Sequence, residues 1–438
     1  MASAPKLFGD DPRYERWRWQ IFGITWLAYA GFYLTRKSFS VAKIDLANPE
    51  VMGLSAAEMA RIDGAFLVAY AIGQFVCGIA GDKFGTRRVV LAGMLGSVIT
   101  AVAMGASSWA WAFSALFFLQ GLCQSTGWAP LAKNLGNFFS RRERGVVMGI
   151  WCSNYAVGGL IASAFAGYLG QQFGWRYAFL IPALALLGIW VLFLLLQRNR
   201  PEDVGLPPVE VYHNEEPDVP LAAEAAHPEA EGSWKLILDV LRNPMVLLLA
   251  AVYFCLKPAR YAILFWGPKY VHEKLGTGMA ASGFVSAMFE LAGVFSVVVA
   301  GFLSDRIFGS RRMPVSIIYL VLLAVALYFL DDLPATRWVL GASLFVIGML
   351  TFAPDSLISG TATVDFGTKK GASTASGLVN GAGSVGAIVG GTLPGLIQQR
   401  WGWHGVFTVL AIAVLVAALL LLPKWNAVPP EAGSGQSK

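Results

Sequence analysis

Charge is what this sequence has little of: Asp, Glu, Lys and Arg together make up 14% of its 438 residues, against about a quarter in soluble domains. That deficit excludes an ordinary soluble globular chain. Cysteine is as scarce. The four present (Cys77, Cys123, Cys152, Cys255) lie inside apolar runs without paired spacing, which excludes a disulfide framework and leaves them as small packing residues. The four histidines (His213, His227, His272, His404) are scattered, so neither a metal site nor a cofactor is expected. P-loop, HExxH and GxSxG signatures are missing, which argues against an enzyme and against an ATP-driven pump.

What is abundant is apolar: 56% of the chain, with a mean hydropathy of +0.58. Runs such as WVLFLLLQ and VLAIAVLVAALLLLP are continuous rather than alternating, so the spans are helices and not barrel strands. The content suffices for roughly twelve spans of about 20 residues. Hydropathy and turn punctuation place them near 19–43, 60–81, 89–108, 110–132, 146–170, 176–196, 245–270, 281–304, 314–330, 338–362, 372–397 and 403–422. The first run begins near Trp19 and lacks a small-residue cleavage site, so it reads as a retained span and not a signal peptide. A Pro- and Glu-rich stretch, 198–240, divides six spans from six and reads as a mostly unstructured linker.

Lys and Arg fix the expected orientation. With the N-terminus inside, the cytoplasmic segments collect about 21 basic residues, among them Arg16, Arg18, Arg87, Arg88, Arg141, Arg142, Arg144, Arg311, Arg312, Lys369 and Lys370. The other side collects about seven: Lys43, Arg61, Arg176, Lys269, Lys274, Arg337 and Arg400. Both termini and the linker are therefore expected in the cytoplasm, and the pI near 9.1 follows from this bias rather than from nucleic-acid binding.

The halves resemble each other. Gly78-x-x-x-Asp82-Lys83 recurs as Gly301-x-x-x-Asp305-Arg306, 223 residues on; Arg36 and Arg260 are 224 apart, as are Pro130 and Pro354. FGWR around Trp175 and WGWH around Trp403 are 228 apart. The expected architecture is an all-α polytopic membrane protein of twelve transmembrane helices in two six-helix repeats, 1–197 and 241–438, with its substrate site where the repeats meet near the bilayer midplane.

Gly78-Ile-Ala-Gly-Asp82-Lys83-Phe-Gly85-Thr-Arg87-Arg88 is similar at every fixed position to the loop signature of the major facilitator superfamily. Gly78 lets helices approach, Asp82 ends a helix where arginines can pair with it, and Gly85 makes the turn. A basic loop turning on glycine explains the arginines but not the Asp and Gly spacing, nor its echo at Asp305.

Charges inside apolar spans are expensive, roughly 2.5–3.5 kcal/mol per Arg or Lys on insertion scales, and mark function. Arg36 and Lys37 lie in span one; Arg260, with Lys257 one turn earlier, lies in span seven. Snorkelling from a helix end suits Lys37, but it suits Arg260 poorly because about seven mostly apolar residues follow it. Two guanidinium forks can clamp a dianion bidentately, which points to phosphate.

At these positions the chain resembles the organophosphate:phosphate antiporters. The likeness lies in Tyr33-Leu-Thr-Arg36-Lys37-Ser-Phe39, the run Gln120 to Pro130, Arg144-Gly145, Gly205-Leu-Pro-Pro208 and Arg260-Tyr261. The resemblance implies that Arg36 and Arg260 bind phosphate and that Tyr33, Lys37, Tyr70 and Trp128 line the cavity. Tyr155, Gln74, Phe265 and Lys257 depart from the glycerol-3-phosphate pattern, and DSLISGTATVDFGTKKGAS is closer to the sugar-phosphate exchangers. Tyr155 and Lys257 are kept as substrate contacts. Glu290 and Asp355 are expected to balance buried cations or to carry a coupling proton. Asp63 and Asp365 are expected as caps or loop contacts. Gly381-Ala-Gly383-Ser-Val-Gly386 imitates a dinucleotide loop, but no strand precedes it, so it is expected as a helix-packing face.

The expected protein is a monomeric carrier of the bacterial inner membrane that exchanges a phosphorylated organic anion for inorganic phosphate by alternating access, with the lipid bilayer as its only other partner. Two rival readings remain: a membrane sensor of the same fold, and a carboxylate or hexuronate permease.

Overall fold

A computed structural model describes residues 11–140, 143, 147–148, 150–213, 242–308, 311–362 and 372–427. Arg141, Arg142, Arg144, Gly145, His227, Asp365, Lys369, Lys370 and most of the linker lie outside these residues; of Asp82 and Asp305 only the backbone is described.

The regular elements among the described residues are all helical. The first half comprises α1 (Pro12–Leu46), α2 (Ala56–Phe84), α3 (Thr86–Ala106), α4 (Ala110–Gln124), α5 (Trp128–Phe138), α6 (Ser153–Phe173) and α7 (Tyr177–Leu196). The second comprises α8 (Pro244–Leu275), α9 (Met279–Arg306), α10 (Arg312–Phe329), α11 (Arg337–Ser356) and α12 (Ala372–Leu421). α4 and α5 together form one interrupted span, and α12 supplies two because it bends at Gly402, whose φ of 63° only glycine adopts readily. The result is six passes and six. Local chemistry sets the starts: Asp11 caps α1 through its carboxylate, with Pro12 in the first turn, and Ser55 and Glu58 form a reciprocal capping box on α2. Those Ser55 hydrogen bonds hold the Glu58 carboxyl below its usual pKa range.

Seven helices are long and apolar enough to cross a membrane by length and composition among the described residues. Their outward faces carry exposed Ile99, Leu184, Leu195, Phe284, Val325 and Leu419, a surface suited to lipid and not to water.

Contacts divide the chain into two compact units, Met1–His227 with Gly267–Ala287, and Pro228–Trp266 with Met288–Lys438. In the first, α1 packs on α6 and α7, α2 on α4, and α3 on α4 and α7, around a core that includes Tyr29, Phe32, Met94, Trp151 and Leu186. Also inside this unit, a Cβ at Gly167 of α6 would stand 2.7 Å from the Met279 carbonyl oxygen and 3.2 Å from the Ala280 Cα, and Ala280 N donates to Gln171 Oε1 at 3.0 Å. In the second unit, α10 packs on α11 and α12.

The repeats use one packing solution twice. A Cβ at Gly121 of α4 would lie 2.4 Å from the Phe66 carbonyl oxygen and 3.0 Å from the Ala69 Cβ; at Gly348 of α11 it would lie 2.4 Å from the Phe289 carbonyl oxygen and 2.7 Å from the Ala292 Cβ. Helix backbones approach so closely only over glycine.

The start of the linker is not structureless. Pro201–Val204 makes a 3₁₀ turn and Val209–Tyr212 a helical turn. Tyr212 stacks on Tyr14 (3.8 Å between ring centres) and its hydroxyl accepts from Asp11 N, while Arg13 donates to the Val204 carbonyl at 2.9 Å. Proline and glutamate content predicted disorder, but here the aromatic and backbone partners are supplied by α1. Beneath this turn, buried Arg18 pairs with Glu15 and Glu143 and lies over the Phe139 ring.

Asp63 is a second correction. It is not a cap: it is fully buried on α2 and paired with Lys43 of α1, also fully buried. The loop 47–55 turns tightly between the two helices, so α2 begins earlier than hydropathy placed it and Asp63 falls inside its second turn.

Candidate anion-binding site

In the first unit Arg36 sits in the interior of α1 and is 4% exposed. Its Nε donates to Gln124 Oε1 at 2.8 Å, and Gln124 Nε2 donates in turn to the Phe32 carbonyl and Thr35 Oγ1. The amide is thereby pinned in the orientation that accepts from the guanidinium. Tyr33, Tyr70 and Phe66 rings surround the guanidinium carbon at 4.5, 4.9 and 5.5 Å, a cage that favours a cation. Gly127 lets the α4–α5 break settle against Tyr29 and Phe32, which places Trp128 5.3 Å from Tyr29. Tyr155 is half-buried against the same core.

Lys37 is 1% exposed, and α1 continues to Leu46. Snorkelling fails for it because no helix end is near.

In the second unit Lys257 and Arg260 lie one turn apart on α8, and Asp355 of α11 joins them. Asp355 Oδ2 accepts from Arg260 NH1 at 2.7 Å, and Oδ1 is 2.9 Å from Lys257 Nζ. The guanidinium lies 4.6 Å from the Phe352 ring centre, and Lys257 Nζ the same distance from Tyr253. Gly383 and Gly386 of α12 seat Tyr253 and Lys257 so closely that a Cβ at Gly383 would meet the Tyr253 ring at 2.4 Å. The dinucleotide look-alike is thus a packing face. Glu290 is buried on α9, and Phe265 is stacked on Tyr261.

The repeat offset extends to this neighbourhood. Tyr253 is the counterpart of Tyr29, as Arg260 is of Arg36, and Lys257 takes the place of Tyr33, all 224 residues apart. Tyr29, Tyr253, Gln124 and Phe352 were not picked out from sequence, although that offset would have flagged the tyrosines. Arg36 donates to a neutral amide, and Arg260 donates to a carboxylate.

Away from the arginines, Gly85 adopts φ 82° between α2 and α3 and forms the sharp turn. Arg87 N donates to Asn199 Oδ1 at 2.9 Å and its guanidinium donates to the Leu194 carbonyl, which ties the motif to the end of α7; Arg88 is exposed.

A helical polytopic chain whose two repeats each hold an arginine inside a span has the build of a membrane carrier, not of an enzyme. The chain belongs to the Major Facilitator Superfamily, whose sequence profile matches residues 25–378. It is 33% identical, over 96% of its length and 94% of the relative's, to the membrane sensor protein UhpC of Salmonella typhimurium. To a probable hexose phosphate transport protein of Chlamydia trachomatis it is 32% identical, over 95% and 92%. Its fold is similar, with a TM-score of 0.73 and 14% identity, to an inward-facing crystal structure of a bacterial homolog of the human lysosomal transporter Spinster, covering 95% of this chain and 96% of that one.

Proposed function

We propose that the protein is a secondary active carrier of a phosphorylated organic anion, such as a sugar phosphate or glycerol 3-phosphate, exchanged for inorganic phosphate by alternating access. The observation that carries this is the pair of intramembrane arginines, Arg36 and Arg260, at equivalent places in the repeats. Each donates to a defined acceptor and lies against an aromatic face. A guanidinium keeps its charge at any physiological pH and presents paired donors that match phosphoryl oxygens. The hexose phosphate relative supports the substrate class. In this reading both arginines contact the phosphoryl group during the cycle, with Lys37, Lys257, Tyr33, Tyr70, Trp128 and Tyr155 as further contacts. The protein lies in a bacterial inner membrane as a monomer, with both termini and the 198–240 linker in the cytoplasm.

The test is uptake into proteoliposomes loaded with inorganic phosphate. Labelled glucose 6-phosphate or glycerol 3-phosphate should enter, external phosphate should compete and glucuronate should not. Inhibition by glucuronate alone would make the protein a carboxylate permease. High-affinity binding without flux would make it a sensor, as the Salmonella relative is named. A protease site placed in the linker should be cut only from the cytoplasmic side; cutting from outside intact cells would invert the topology.

A further inference from the structure

We propose that Asp355 is a built-in competitor for the transported anion: in the empty carrier its carboxylate occupies the place on Arg260 and Lys257 that the phosphoryl group takes, and substrate binds by displacing it. The proposal rests on the reading of Arg260 as an anion-binding residue.

The geometry is that of a resident ligand. Each carboxylate oxygen engages a different cation, Arg260 at 2.7 Å and Lys257 at 2.9 Å, and the carboxylate comes from another helix, α11. The cluster of two cations and one anion has a net charge of +1. A phosphoryl dianion arriving with Asp355 still in place would set three negative charges against two positive ones in a buried setting, where like charges within a few ångströms strongly disfavour one another. Removing Asp355 from the cations leaves two positive charges for two negative ones, a balanced site.

The backbone at Asp355 is built to move. Pro354 lies inside α11 immediately before it, and from Leu357 to Ala362 the chain winds as a π-helix. Proline removes one hydrogen bond from the ladder and the wider π turn shifts its register, so this stretch has an alternative winding within reach. Arg36 donates from Nε to the neutral Gln124, which is itself anchored at two points to α1.

An internal competitor reduces apparent affinity by the fraction of time it occupies the cations, and it returns to eject the bound anion. Exchange needs both, because a carrier that holds its first anion too long cannot take the second.

The test measures inorganic phosphate binding to purified full-length protein by titration calorimetry, together with phosphate exchange in proteoliposomes. Asp355→Asn should tighten phosphate binding at least tenfold and slow exchange, lowering KM and kcat together. A salt bridge that merely holds α8 to α11 would give the opposite: weaker or unchanged binding. A gain below tenfold, no change or a loss overturns the proposal. If Asp355→Asn does not fold, the comparison moves to Lys257→Gln against Lys257→Gln with Asp355→Asn, which removes one charge of each sign, and the same tenfold gain is required. Wild-type protein that binds glucuronate but not phosphate would overturn the substrate class; the Asp355 comparison is then read with glucuronate as the probe. If neither wild type nor variant binds any of these anions, both proposals fall.

Discussion

At the level of single residues, the two arginines were legible because charge in an apolar run is costly and their positions repeat. Arg36→Lys should raise the half-inhibitory phosphate concentration at least tenfold in the proteoliposome assay. The ammonium keeps the charge but loses the planar pair of donors, a loss of about 1.5–3 kcal/mol for a charge-assisted contact. Gln124 was not legible, since an amide on a helix has many uses and only the fold brings it to Arg36. Gln124→Glu should give Arg36 the kind of carboxylate partner Arg260 has and lower phosphate affinity by tenfold or more in calorimetry; unchanged affinity would mean that Arg36 does not meet the anion. Lys37 and Asp63 were misread for a shared reason: hydropathy locates a residue along a span but does not say what covers it. The covered Lys43–Asp63 pair carries a stability consequence. Asp63→Asn leaves a buried ammonium without its carboxylate and should cost about 3–5 kcal/mol, seen as a lower melting temperature in detergent. Replacing both partners, Lys43→Met with Asp63→Leu, should recover most of the loss.

At the level of elements, the helices were legible from hydropathy, and the bend of α12 falls at Gly402, where the boundary between the last two spans was expected. The break between α4 and α5 and the π turn after Asp355 were not, because Gly127 and Pro354 mark where a helix can yield without saying that it does. The ordered turns at 201–213 were missed likewise: their partners, Tyr14, Arg13 and Asp11, are about 200 residues away. The paired glycine contacts allow a matched experiment. Gly121→Leu and Gly348→Leu should each drive a side chain into a neighbouring backbone carbonyl and destabilise by at least the 1–3 kcal/mol typical of about one overpacked site. Gly188→Leu, where a Cβ meets nothing within 4 Å, should leave the melting temperature unchanged. Equal effects at all three positions would show that side-chain bulk in the bilayer, and not helix approach, sets the cost.

At the level of the whole molecule, repeat symmetry read from the chain yields the helix count, while the compact units divide the chain differently, since Gly267–Ala287 clusters with the N-terminal residues. The approach of Gly167 to Ala280 makes this testable. Gly167→Val, which sets a side chain against the Met279 carbonyl oxygen, should slow exchange in proteoliposomes. Full exchange by this variant would show that the cycle does not need this close approach.

That division cuts through a single continuous element. α8 runs unbroken from Pro244 to Leu275, yet its residues up to Trp266 cluster with one unit and those from Gly267 onward with the other. Arg260 and Leu275 are about 22 Å apart along this rod at 1.5 Å per residue. Pro268 stands just past that division and has no N–H for the helical ladder, so between Arg260 and the segment bearing His272 and Lys274 this helix has a joint at which it can flex, and a bend there would change the angle of one end without unwinding the other.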